Sequence, residues 1–162
     1  HADPEVLVQM DAYTVDGLQP EQIQFLYAPT HLNPTYEYGV TFERGTAVSY
    51  GDRKQIFLSG TASIDNRGEI VHPGDILKQT ERMMENISVL LQEAGASVAD
   101  IMQAIVYLRD PADYEEVNRY IRTHHPDMPH LIVLAPVCRP GWLIETECIA
   151  VIPADFPQYP CL

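Results

Sequence analysis

The stretch CRPGWLIETECIA, Cys138–Ala150, becomes strand-like from Leu143 and holds two glutamates inside an otherwise apolar run. Side chains alternate along a strand, so Leu143, Glu145, Glu147 and Ile149 share one face. Ile144, Thr146, Cys148 and Ala150 share the other, and this small, apolar set suits a sheet face covered by helices. The first face mixes carboxylates with Leu143, Ile149 and Val151, a poor match for a surface that meets only water. A half-apolar face with embedded carboxylates predicts an interface that contains a pocket.

Working outward, LIVLAPV (131–137) reads as the strand before this one. DPADYEEVNRYIRTHH (110–125) reads as a helix, with Pro111 near its start and Tyr114, Val117, Tyr120 and Ile121 on one side. DIMQAIVYLRD (100–110) begins with a helical turn and becomes a strand. DILKQTERMMENISVLLQEAG (75–95) is the clearest helix: Ile76, Thr80, Met83, Ile87, Leu90 and Ala94 recur at spacings of four and three. Asp75 is placed to cap its start and Gly95 to stop its end. Upstream, residues 41–60 predict two strands joined by a turn at Gly51-Asp52, and Asp65–Gly68 another turn. The order is β-β-α-β-α-β-β, an α+β plan with both helices on one face of a mixed sheet.

Three segments follow from this pattern: an N-terminal region spanning residues 1–40, a regular domain over 41–153 and a tail over 154–162. In the first, residues 5–15 are strand-like, Gly17–Phe25 holds a turn and a short helix, and Tyr27–Gly39 is a linker or ordered loop. The chain begins at His1 rather than Met, as expected of a piece of a longer protein.

At 162 residues, 46% hydrophobic and 20% charged, the chain has the balance of one globular domain with an extension. A net charge of −13 with only ten scattered basic residues argues against nucleic acid, since phosphate binding needs clustered Lys and Arg. No apolar run approaches the ~18 residues of a membrane span. Three irregularly spaced cysteines make no disulfide framework and point to a reducing, cytoplasmic setting. The cluster His124, His125 and His130 lacks regular ligand spacing because Pro126 and Pro129 interrupt it, so neither a metal nor another cofactor is expected.

Several phrases resemble the Rid family, also called YjgF or L-PSP endoribonuclease-like proteins. They are IFLSGTASID (56–65), HPGDILKQTERMMENISVLLQEAGAS (72–97), ADIMQAIVYLRDPADYEEVNRYI (99–121) and RPGWLIETECIA (139–150), and the match as a whole runs from about Phe42 to Val151. The resemblance implies a chorismate-mutase-like fold assembled as a homotrimer around a central barrel, with clefts for small carboxylate metabolites between subunits. In its hydrolysing members an arginine in a Pro-x-Arg context grips the substrate carboxylate. The matching stretch here is Pro129-His130-Leu131, so Leu131 stands where that arginine is expected, and His130 beside it offers a weaker anchor. Ser59, Gly60, Asn118 and Glu145 match other site positions of the family.

YGVTFERG (38–45), VHPGD (71–75) and VCRPGWLIE (137–145) are closer to the chorismatase branch, whose members hydrolyse an enolpyruvyl ether. There a glutamate matching Glu145 is the general acid, some members carry a cysteine matching Cys138, and arginines hold carboxylates, for which Arg44 and Arg139 are the candidates. Chorismatases carry two Rid-like halves. Leu7–Val15 can be laid on Leu143–Val151, with Gln9 opposite Glu145 and Asp11 opposite Glu147, so residues 1–40 are either an extension or the remnant of a preceding half.

Each candidate has a plainer account. Glu145 serves equally as one half of an ion pair across an interface, and Glu147 as a barrel residue. Arg44 and Arg139 serve as surface charges, Cys138 as a small buried thiol, and Gly60 as relief for a strand end. The functional account has Glu145 protonating carbon or orienting water, with its pKa raised by burial. The expected activities are hydrolysis of an enol ether, enamine or imine, or ligand binding without turnover. Ribonuclease or translation-inhibitor activity, attached to the family name, conflicts with the charge.

Overall fold

A computed structural model describes residues 10–161. They form strands β1 (Ile23–Leu26), β2 (Gly45–Ser49) and β3 (Arg53–Ala62), helix α1 (Ile76–Glu93), strand β4 (Ile101–Leu108), helix α2 (Tyr114–His124), and strands β5 (His130–Leu134) and β6 (Ile144–Pro153). From β2 onward this is the expected β-β-α-β-α-β-β order. The six strands make one mixed sheet in the order β1-β2-β3-β6-β4-β5, in which only β4 and β5 run parallel.

Helix α1 starts where the Asp75 carboxylate accepts the Lys78 amide at 3.0 Å. It ends where Gly95 takes a φ of +83°, letting the Ala96 amide reach back to the Leu91 carbonyl at 2.8 Å. The stripe Ile76, Thr80, Met83, Ile87, Leu90 and Ala94 is buried throughout. It packs in one core with Val117 and Ile121 of α2 and with Ile144, Cys148 and Ala150 of β6. Tyr114 departs from expectation: it is exposed, because the chain passes through a turn of 3-10 helix (Pro111–Asp113) before α2 begins.

The alternation on β6 is as expected. Ile144, Thr146, Cys148 and Ala150 are buried beneath the helices, whereas Leu143, Glu145, Glu147 and Ile149 are half-buried on the uncovered side.

The N-terminal region is only partly as expected. Residues 5–9 of the strand-like stretch lie outside the described residues, and 10–15 have no regular secondary structure. Gly17–Phe25 holds a single turn of 3-10 helix (Pro20–Gln22) and then runs into a strand, β1, that the sequence reading missed. The Gln22 side chain donates to the Ser49 carbonyl at 2.8 Å, which draws this segment alongside β2, and Leu26 seals into the core. The tail also returns to the sheet: the Phe156 amide donates to Gly51 O and the Gly51 amide to Pro160 O. A Cβ at Gly51 would come within 2.6 Å of the Tyr159 carbonyl, so glycine permits that approach.

Candidate functional site

Strands β3 and β6 form the floor of the site. Their antiparallel ladder is regular from Arg53 opposite Pro153 to Leu58 opposite Cys148, then slips so that Thr61 faces Thr146. The three steps on β3 from Leu58 to Thr61 match two on β6, a bulge that leaves Ser59 and Gly60 out of register. Glu145 stands opposite Ala62 on β3 and Tyr107 on β4, and its carboxylate leans over Gly60. A Cβ at position 60 would overlap that carboxylate. The absent side chain at Gly60 is the space in which the Glu145 carboxylate sits.

Six of the eight candidate residues meet in one cavity of about 470 Å³: Arg44, Ser59, Gly60, Cys138, Arg139 and Glu145. Val40, Phe42, Ala62, Ile64 and Trp142 supply its apolar lining. Asn118 and His130 are not among the lining residues. Asn118 sits on α2, where its Oδ1 accepts from Arg122 at 3.3 Å. His130 opens β5 with its Nδ1 2.9 Å from the Met128 carbonyl.

Each polar group in the cavity has a fixed setting. Arg44, only 5% exposed, donates from Nη2 to the Asn33 carbonyl and to Asn33 Oδ1, both at 3.0 Å, and its guanidinium lies 5.4 Å from the Phe42 ring centre. Arg139 donates from Nη1 to the Gly68 carbonyl at 2.9 Å and lies 5.0 Å from the Trp142 ring centre. Ser59 spends its hydroxyl proton on the Glu43 carbonyl at 2.6 Å. Cys138 is an exposed free thiol.

Burial, and then the neighbouring Glu147 charge, push the Glu145 carboxyl above its ordinary range. Burial is also the leading cause that raises the Tyr107 phenol to about 12, followed by its hydrogen bond to Glu147. The arrangement therefore offers a carboxyl of raised pKa in one largely apolar recess with two arginine side chains. Such a group gives a proton to a reacting atom and takes one back. The uncovered sheet face beyond it carries a second recess of about 300 Å³, lined by Phe57, Ser59, Ile105, Glu147 and Ile149 among others.

Sequence reasoning missed the groups that hold this site in shape. Asn33 fixes Arg44 and also donates to Glu37 at 3.1 Å. Asn86, wholly buried, donates to the carbonyls of Ala62 and Ile64 at the end of the floor. Gln79, equally buried, donates to the carbonyls of His72 and Gly141 and accepts from the Leu143 amide. Arg109 binds three carbonyls of the loop between β5 and β6. A signal existed for Gln79 and Asn86: each adjoins a residue of the apolar stripe of α1, where a polar side chain needs a buried partner.

Residues 45–152 match the family model described as Endoribonuclease L-PSP. A RutC family protein of Pyrococcus abyssi is 41% identical over 98 residues, which is 59% of this chain and 76% of that protein. The 3-aminoacrylate deaminase RutC of Acinetobacter baylyi is 31% identical over 97 residues, covering 59% and 77%. Among solved structures, the YjgF gene product of E. coli superposes with a TM-score of 0.63 at 22% identity, covering 79% of this chain and 98% of that one, a likeness of fold. The match takes in β2 through most of β6, the strands that make the floor beneath Glu145, and on it the chain belongs to the Rid family of YjgF and L-PSP endoribonuclease-like proteins.

Proposed function

We propose that the protein binds a small carboxylate-bearing metabolite in the cavity above Gly60 and hydrolyses an enamine or imine within it. The observation that carries this reading is the half-buried Glu145 carboxyl, raised in pKa, in one recess with Arg44 and Arg139. That a relative 31% identical is a 3-aminoacrylate deaminase supports the reaction class.

The chemistry follows from the groups. An enamine is nucleophilic at carbon, and protonated Glu145 delivers its proton there, producing an iminium ion beside the carboxylate it has just formed. That carboxylate takes a proton from water as the oxygen adds to the iminium carbon. The carbinolamine then loses ammonia, its nitrogen taking the proton Glu145 recovered and its hydroxyl giving its own to the Glu145 carboxylate as the carbonyl forms, so one water enters, one ammonia leaves and the carboxyl ends protonated as it began. An imine joins the same course once its nitrogen is protonated. Arg44 and Arg139 orient the substrate carboxylate, in place of the arginine that the family resemblance expects at position 131, which is Leu131 here.

A second reading is favoured by Cys138, which lines the same cavity as both arginines and Glu145. An enolpyruvyl ether is also protonated at carbon, gives an oxocarbenium ion, adds water and expels an alcohol with release of pyruvate. RNA cleavage belongs to neither reading, because a chain of net charge −13 meets phosphate with repulsion. We assign the chain to a cytoplasmic homotrimer whose uncovered sheet faces, with Phe57, Ile105, Glu147 and Ile149, turn toward one another and close the clefts.

The test is a direct assay with 3-aminoacrylate, 2-iminobutanoate and chorismate, following ammonia and pyruvate. Ammonia release above the spontaneous rate that vanishes in Glu145→Gln supports the first reading. Pyruvate from chorismate supports the second, and ligand binding without turnover identifies a non-catalytic sensor and ends both.

A further inference from the structure

Between β5 and β6 the chain crosses from Ala135 to Leu143 with little backbone pairing of its own. The Ala135 amide reaches Leu108 O, the Val137 amide reaches Ala135 O, and the Trp142 amide closes a turn on Arg139 O. Yet this loop supplies Cys138, Arg139 and Trp142, one wall of the cavity. Its carbonyls are taken by two side chains from elsewhere in the fold. Gln79 of α1 holds Gly141 O at 3.0 Å. Arg109, the residue after β4, holds Trp142 O from Nε at 2.8 Å, and Val137 O and Arg139 O from Nη2 at 2.5 and 2.7 Å. Its own amide donates to Leu143 O at 3.0 Å, which pins its backbone at the foot of the same loop.

Arg109 takes part in no ion pair among the described residues. Its charge is met by carbonyl dipoles, and its planar fork spans three of them, a geometry that a single ammonium cannot copy. The bonds bracket Cys138 and Arg139, so they set where the Arg139 side chain leaves the backbone to reach Gly68 O and lie by Trp142.

We propose that Arg109 is a positioning residue: it orders the Val137–Trp142 wall and through it sets the affinity of the cavity for its carboxylate ligand. This rests on the binding reading above for its second half only. Arg109 touches no ligand. It acts through Arg139.

The full chain carrying Arg109→Met or Arg109→Lys provides the test. Amide exchange should speed up by about tenfold or more across 136–143 in Arg109→Met, with α1 and β3 unchanged, because the loop loses the three carbonyl bonds of Arg109 and keeps only its hold by Gln79. With 3-aminoacrylate or 2-iminobutanoate, KM should rise roughly tenfold while kcat stays within about twofold, and Arg109→Lys should fall between the variants. Exchange at 136–143 unchanged in Arg109→Met overturns the proposal. So does exchange that rises throughout the sheet, which would make Arg109 a support of the whole fold. A kcat that falls with KM unchanged overturns it too. The exchange measurement needs no substrate, so a locally loosened loop beside an inactive wild type would sink the catalytic reading while upholding the ordering role of Arg109.

Discussion

On the floor of the cavity, Gly60 and Glu145 are held by the backbone ladder of β3 and β6, interrupted by one bulge. On its wall, Cys138, Arg139 and Trp142 are carried by a loop whose carbonyls are gripped by Arg109 and Gln79. A ladder distributes its hold over many equivalent bonds, so no single side chain there is indispensable to the backbone. A loop held from two points concentrates its hold, and each point becomes a site of vulnerability. In the proposed reaction the floor carries the proton-transferring group and the wall carries one of the two arginines that orient the substrate, so damage to each should read out differently.

The largest effect should come from the floor. Glu145→Gln keeps the shape of the side chain and removes the proton, and we expect turnover to fall about 10²–10⁴-fold with the fold intact by circular dichroism. Retained turnover would move the chemistry off the floor altogether. Next comes Gly60→Ala, whose new methyl group would overlap the Glu145 carboxylate. The neighbour that must yield is the far end of a flexible side chain, so the fold should survive while kcat drops on the order of 10²-fold from misplacement of the carboxyl. A variant with wild-type kcat would show that the carboxyl works from another position.

The wall should respond in stability before rate. Gln79→Leu removes two donated bonds and one accepted bond at a fully buried position. We expect a loss of about 2–3 kcal/mol in urea denaturation, most of it from leaving buried backbone groups unpaired. A loss below ~0.5 kcal/mol would mean that the wall has other support.

The smallest effect concerns pH. Glu145 holds its proton to higher pH in the folded protein than in the unfolded chain. The native state therefore binds more protons there, and stability falls as pH rises from the ordinary carboxylate range through the raised value. Glu145→Gln removes this slope. The variant should melt with the wild type at strongly acid pH and above it at neutral pH, by a few degrees at most. Equal melting temperatures at both would show that burial does not strain the carboxylate.

How far the site was legible depends on what holds each component. Alternation along 143–151 separates the buried from the half-buried side chains of β6 without any knowledge of the partners, because a strand imposes a period of two wherever it lies. The stripe on α1 is equally legible, since 3.6 residues per turn is a local property. β1 escaped notice because four residues, Ile23–Leu26, are too few to show a period, and they are a strand because they pair with β2, from Ile23 opposite Val48 to Leu26 opposite Gly45.

From the sequence alone come the α+β order, the covered and uncovered faces of the last strand, and the placement of two carboxylates on the uncovered one. Tertiary structure alone decided that residues as distant as Arg44 and Cys138 share a recess with Glu145, while Asn118 and His130 do not line it. It alone revealed Asn33 and Arg109 as side chains that hold the recess in shape, and it alone supplied the partners of Gln79. The reason is physical: periodicity is written by the geometry of one element, whereas a side chain that binds a distant backbone carbonyl meets a group every residue possesses, and leaves no mark in the sequence at the other end.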